Sequence, residues 1–293
     1  MDTNEKSKLN RTAIRPIAAV SLTLLLAVAS TGYASPEAPA EASTRPTAIE
    51  VDANVAINKN SLDLHGPVSD FNVSLANGSG SKLDASIVDE GTAAEFTIDY
   101  ADSENAILDA SVEDDVTVKI VEDDEGEQSV QMSDSNGEIV GGILIEDAHT
   151  SDGTPVRAEL SADGKTISQK FLIGNEEVEE PITVKAYAST VLYNKGWVTK
   201  KSSKKYIVNL DPTKLGRKQN ALNTHKTHVK HTKKVLGSSN TKKYWNYNIE
   251  QQFLCHVVGA WFPTGVYNME SWQPTKKWQQ IANPFDRCNR SKK

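Results

Sequence analysis

Three dipeptides, Asn136-Gly137, Asp152-Gly153 and Asp163-Gly164, limit what this chain can fold into more than any other feature. Each joins a residue tolerant of positive φ to a glycine that adopts it freely, so each favours a tight reversal between extended segments. The neighbouring segments are short and strand-like. Val116–Val121 alternates apolar and polar residues, Glu138–Ile145 reads as a buried run, and Val156–Leu160 alternates again. Thr166–Ile173 is spaced to return across the Asp163-Gly164 turn, and Ile182–Tyr187 is a further strand beyond it. Residues 49–190 therefore read as a mainly β domain.

That domain is strongly acidic. From Ser35 to Thr190 there are 33 Asp and Glu against 8 Lys and Arg, a net charge of −25. From Val191 to Lys293 there are 4 against 20, a net of +16, and all five tryptophans lie in this second part. Such a change of chemistry predicts two domains, 49–190 and 191–293. The basic part reads as a small α+β domain. Lys205–Leu210 is a strand stopped by Asp211-Pro212. Within Tyr244–Trp261, the apolar residues Ile249, Phe253, Val257 and Ala260 fall on one face of an amphipathic helix. Gln273-Pro274 opens a shorter helical pattern in which Trp278 and Ile281 face inward together. The expected class for the whole chain is α+β.

The first 34 residues carry an export signature. Lys6, Lys8, Arg11 and Arg15 precede the uncharged run Ile17–Ser30, and Gly32-Tyr33-Ala34 offers small residues for cleavage after Ala34. The run has 14 residues, short of the roughly 18 to 20 that span hydrocarbon. Residues 35–48, rich in Pro and Ala, read as a disordered linker. Export places Cys255 and Cys288 in an oxidising compartment, where they read as one disulfide; the alternative is two buried thiols.

Candidate chemistry concentrates in the basic half. His225, His228 and His231 recur every three residues, but no carboxylate lies near them in sequence and the spacing is not that of His-Glu-x-x-His, so a solvated basic helix is expected and no metal. Cys255-His256 is no thiol–imidazole pair, because neighbours on a helix point about 100° apart. The run Glu122-Asp123-Asp124-Glu125 reads as a solvated turn without calcium-loop spacing. Glu250, His256, Glu270 and Asp286 are the polar candidates for a hydrolase, each also suited to capping a helix or satisfying backbone. No cofactor is expected.

Trp245-Asn246, Gln252-Phe-Leu-Cys-His256, Tyr267-Asn-Met-Glu-Ser-Trp-Gln-Pro274 and Cys288-Asn289 resemble the C-terminal block of a family of secreted actinobacterial proteins catalogued as a domain of unknown function. The family pattern is W-N, Q-F-x-C-H, W-N-L-E-x-W-R-P, C-N. The resemblance covers about the last hundred residues and extends weakly to Gly137–Gly142 and Asp152–Gln169. Tyr267, Met269 and Gln273 stand where that pattern has Trp, Leu and Arg, so any role of the Arg is missing. The resemblance implies secretion and a disulfide and no established activity.

The function expected from these features is a secreted binding protein, extracellular or associated with the cell wall. Its basic domain would engage an anionic cell-wall polymer or a membrane surface. The binding candidates are Lys230, Lys233 and Lys234, all expected to be exposed, with Trp261, Trp272 and Trp278 as flat contact surfaces. Docking of the basic half on the acidic half is the intramolecular counterpart. A secreted toxin or bacteriocin-like effector and a small extracellular hydrolase are the alternatives; no specific nucleic-acid partner is expected.

Overall fold

The computed structural model describes residues 49–50, 52–75, 81–101, 106–123, 126–178, 181–259, 265–282 and 288. The expected signal peptide and linker lie outside the described residues, as do Ala260, Trp261 and Asp286. The described chain is mostly β with a few helices.

Two antiparallel sheets make up the acidic part. One runs β5 (Lys82–Val88), β6 (Ala93–Tyr100), β14 (Ile182–Ser189), β10 (Ile139–Thr150), β9 (Gln128–Ser133), β8 (Thr117–Glu122). The other runs β11 (Arg157–Asp163), β12 (Thr166–Ile173), β7 (Ile107–Val112), β4 (Phe71–Leu75), β3 (Ser61–His65), β2 (Asn54–Asn58), with β13 (Glu176–Glu177) beside the end of β12. The glycine dipeptides fall at reversals. Gly137 (φ 76°) lies between β9 and β10, and Gly164 (φ 60°) between β11 and β12, where Asp163 pairs with Thr166. Both sheets contribute to one core: Leu62, Leu64, Val73, Leu108 and Phe171 come from one, and Phe96, Ile98, Met132, Ile143 and Val184 from the other. Alternating strands bury their apolar side against the facing sheet, as in a β-sandwich.

β10 breaks the alternation and is buried at every position from Ile139 to Leu144. Val140 and Ile143 belong to the sandwich core; Ile139 and Leu144 belong to a second core on the opposite face. That second core combines Ala93, Ile139, Leu144 and Tyr187 with Leu192, Tyr193, Leu215, Leu236, Phe253 and Met269. The chemistry changes at Thr190, but the packing is continuous through it, and the described residues form one compact unit.

The basic part is a sheet of β1 (Ile49–Glu50), β15 (Tyr193–Lys200), β16 (Tyr206–Pro212) and β17 (Tyr267–Glu270), in that order, with helices packed against it. β1 joins this sheet although it precedes every acidic strand in the chain. β16 includes Asp211 and Pro212, with Tyr193 opposite Pro212, so the strand ends two residues later than expected. Thr213 then caps the short α1 (Lys214–Lys218), its hydroxyl accepting from Gly216 N at 3.0 Å. The backbones approach closely there: a Cβ on Gly216 would lie 2.1 Å from Leu192 O.

α2 (His225–Tyr244) and α3 (Tyr247–Gly259) complete the basic part. α2 is interrupted at Gly237 (φ 73°), a conformation that glycine enters without the cost of a Cβ. Ile249, Phe253 and Val257 on α3 are fully buried, as the spacing predicts. The helix begins at Tyr247, while Tyr244 closes α2. Cys255 on α3 is bonded to Cys288 across a Cα separation of 5.5 Å. Ile281, in the four-residue α4 (Trp278–Ile281), packs beside the bond, with Trp278 partly buried against it.

Candidate functional site

Where the basic part meets the sandwich, its lysines face carboxylates. Lys214 Nζ lies 2.6 Å from Glu95 and 2.5 Å from Glu146. Lys218 pairs with Asp123 at 3.0 Å and with Glu127; Lys195 pairs with Glu90 and Lys230 with Glu138. The Lys214 ammonium holds the Glu95 carboxyl below its usual range. These contacts give three of the binding candidates internal partners. Lys230 and Lys234 are exposed as expected, but Lys230 has Glu138, and Lys234 Nζ donates to Pro67 O at 3.1 Å. Lys233 is only partly exposed, lying 3.4 Å from Glu250 and 5.7 Å from the Trp245 ring centre.

His228 and His231 of the histidine stripe are buried and His225 is partly so, contrary to the expected solvated helix. His228 is fully buried: Tyr193 OH donates to Nδ1 at 2.6 Å, and Nε2–H donates to Gln219 O at 2.5 Å, the tautomer these two partners require. Burial pushes His228 and His231 down to about 4, so both are neutral at pH 7. The stripe faces the core because Thr227, Thr232, Val235 and Leu236 share its side of α2. Among the described residues no three His, Cys, Asp or Glu side chains are placed to hold a metal ion.

The polar residues of the C-terminal block form the internal scaffold. The Gln252 side chain docks on β17 as a strand would, donating to Glu270 O at 3.0 Å and accepting from Glu270 N at 2.8 Å. Asn246 Oδ1 accepts from Ile249 N at 3.1 Å and so caps α3. Asn248 Nδ2 donates to Gln273 O at 3.0 Å, and Trp245 Nε1 donates to Glu250 at 2.8 Å. Of the hydrolase candidates, Glu250 is thus held by Trp245 and Lys233, and Glu270 accepts from Gln273 Nε2 at 2.5 Å. His256 is stacked on Tyr267 with centroids 5.2 Å apart. The disulfide removes Cys255 as a nucleophile. Trp278 meets the His225 ring edge-on at 5.6 Å, and its backbone N donates to Gln251.

A different group of lysines stands together at the open end of the basic part. The turn between β15 and β16 reads Lys200-Lys201-Ser202-Ser203-Lys204-Lys205, with all six residues exposed. Tyr206, at its base, packs on Tyr244 at 4.9 Å and donates to Tyr244 O, bringing Lys242 and Lys243 at the end of α2 to the same place. Lys205 Nζ sits 5.9 Å from the Trp272 ring centre, and Trp272 is 38% exposed. The Asn248–Gln273 bond puts Tyr247, also exposed, at this end. None of Lys200, Lys201, Lys204, Lys205, Lys242 or Lys243 forms an ion pair with a described residue. Of the sequence-named candidates among the described residues, only Trp272 belongs to this cluster.

A cleft of about 310 Å³ lies between the β8–β9 hairpin and the segment Lys218–Thr224. Its polar groups are already engaged: Gln131 Nε2 donates to Gln219 Oε1 at 2.6 Å, Lys218 pairs with Asp123 and Glu127, and Gln128 Oε1 accepts from Leu160 N outside the cleft. No protein-family model matches the chain, and neither a curated protein nor a solved structure does.

Proposed function

We propose that this is an exported binding protein that attaches to anionic cell-surface material through the lysine end of its basic part. The supporting observation is the division of the lysines into two sets. Lys195, Lys214, Lys218 and Lys230 have carboxylate partners on the sandwich, whereas the six lysines of the β15–β16 turn and the end of α2 have none among the described residues. Like charges left adjacent repel one another, and an anionic partner relieves that repulsion. Export is supported by the basic and apolar pattern of residues 6–30 and by the disulfide, which persists in oxidising compartments. The test is retention of the chain from Ser35 onward on washed cell envelopes. Binding should be strong at 0.1 M salt and largely lost at 1 M, as the Debye length shrinks from about 10 Å to about 3 Å. Absence of binding at low salt would overturn the reading.

A further inference from the structure

Resting on that reading, we infer that the anionic material is a phospholipid surface, with Trp272 seated at the headgroup level and the lysines of the β15–β16 turn around it. Two features distinguish this from attachment to a polymer strand. The first is shape. The lysines sit on a hairpin in which residues 200–205 are all exposed and on the exposed end of a helix, sites with room for a broad surface to approach. The second is the exposed indole. Tryptophan is usually mostly buried, yet Trp272 is 38% exposed with a lysine ammonium over its face and the exposed Tyr247 at the same end. An amphipathic ring flanked by cations whose apolar stems can lie along a headgroup layer suits a bilayer interface. The two carboxylates nearby in sequence are already engaged: Glu270 accepts from Gln273, and Glu250 is held by Trp245 and Lys233. The sandwich, with most of the chain's acid, would be repelled by the same surface. Charge thus sets the orientation as well as the attraction.

The experiment is co-sedimentation of the chain from Ser35, which leaves out the apolar Ile17–Ser30 run, with two kinds of vesicle. One contains phosphatidylglycerol and phosphatidylcholine in equal parts, the other phosphatidylcholine alone. Retention on a polyphosphate resin is measured in parallel. The expected result is partition onto the anionic vesicles only. Each of Lys201→Gln and Lys204→Gln should lower it about fivefold, and bromine-labelled lipid should quench tryptophan emission in the parent but not in Trp272→Phe. Retention on the resin without partition onto anionic vesicles would overturn the membrane assignment and leave the proposed function standing. Failure on both would overturn both. Partition unaffected by the lysine changes, or quenching that persists in Trp272→Phe, would also overturn the assignment.

Discussion

Tyr193, His228 and Gln219 O form a buried polar chain in which each imidazole nitrogen has one partner, so protonating the ring would place a second donor against the Tyr193 hydroxyl. His228 and His231 move from an ordinary value of 6.5 to about 4 on folding, with burial the leading cause for both. Between those values the unfolded chain binds more protons than the folded one. Stability is therefore full above pH 6.5 and falls as the pH drops toward 4, by up to about 1.4 kcal/mol per pH unit for each ring. Urea midpoints measured at pH 7 and pH 5 should show this fall, and neither imidazole should titrate by NMR near pH 6 in the folded state. Gly216 tests the closest backbone approach. Gly216→Ala places a methyl 2.1 Å from Leu192 O, and backbone cannot yield as a side-chain tip would. The expected cost is about 1–3 kcal/mol or more in denaturant unfolding; a neutral result would mean that α1 does not sit as described.

At the level of elements, the disulfide secures α3 to the end of the chain. Its 33-residue separation gives about 3–4 kcal/mol in the chain-entropy description, a figure that measured bonds often fall below. Unfolding curves with and without reductant should differ by an amount of this order, and unreduced, denatured protein should contain no titratable thiol. The strands and α3 were legible in the sequence because their periods are local: Ile249, Phe253 and Val257 form a stripe, and Gly137 and Gly164 mark real reversals. Three things were not legible. The sharing of β10 between two cores depends on a partner that covers its second face, and a continuous apolar run does not name that partner. The placement of β1 beside β15 joins residues far apart in the chain. The burial of His228 and His231 was hidden by the surrounding lysines, whose long stems let a helix with low apolar content still turn one face inward.

For the whole molecule, the second core makes the two chemistries interdependent. A fragment of residues 191–293 would lose Ala93, Ile139, Leu144 and Tyr187, and Lys214, Lys218 and Lys230 would lose their carboxylates. Exposing that much apolar surface removes more than a marginally stable small unit can spare. The fragment is expected to lack the dispersed amide spectrum of a folded domain; a well-dispersed NMR spectrum would show instead that the basic part folds alone. The division of the lysines is the central claim, and retention of two multiple variants on washed envelopes at low salt tests it most directly. Replacing Lys200, Lys201, Lys204 and Lys205 with Gln should abolish retention with little change in unfolding midpoint, since these side chains are exposed and have no ion pair with a described residue. Replacing Lys230, Lys233 and Lys234 with Gln should leave retention near that of the parent and cost roughly 0–1 kcal/mol for each exposed pair. The reverse pattern, with retention lost in the second variant and kept in the first, would contradict the account.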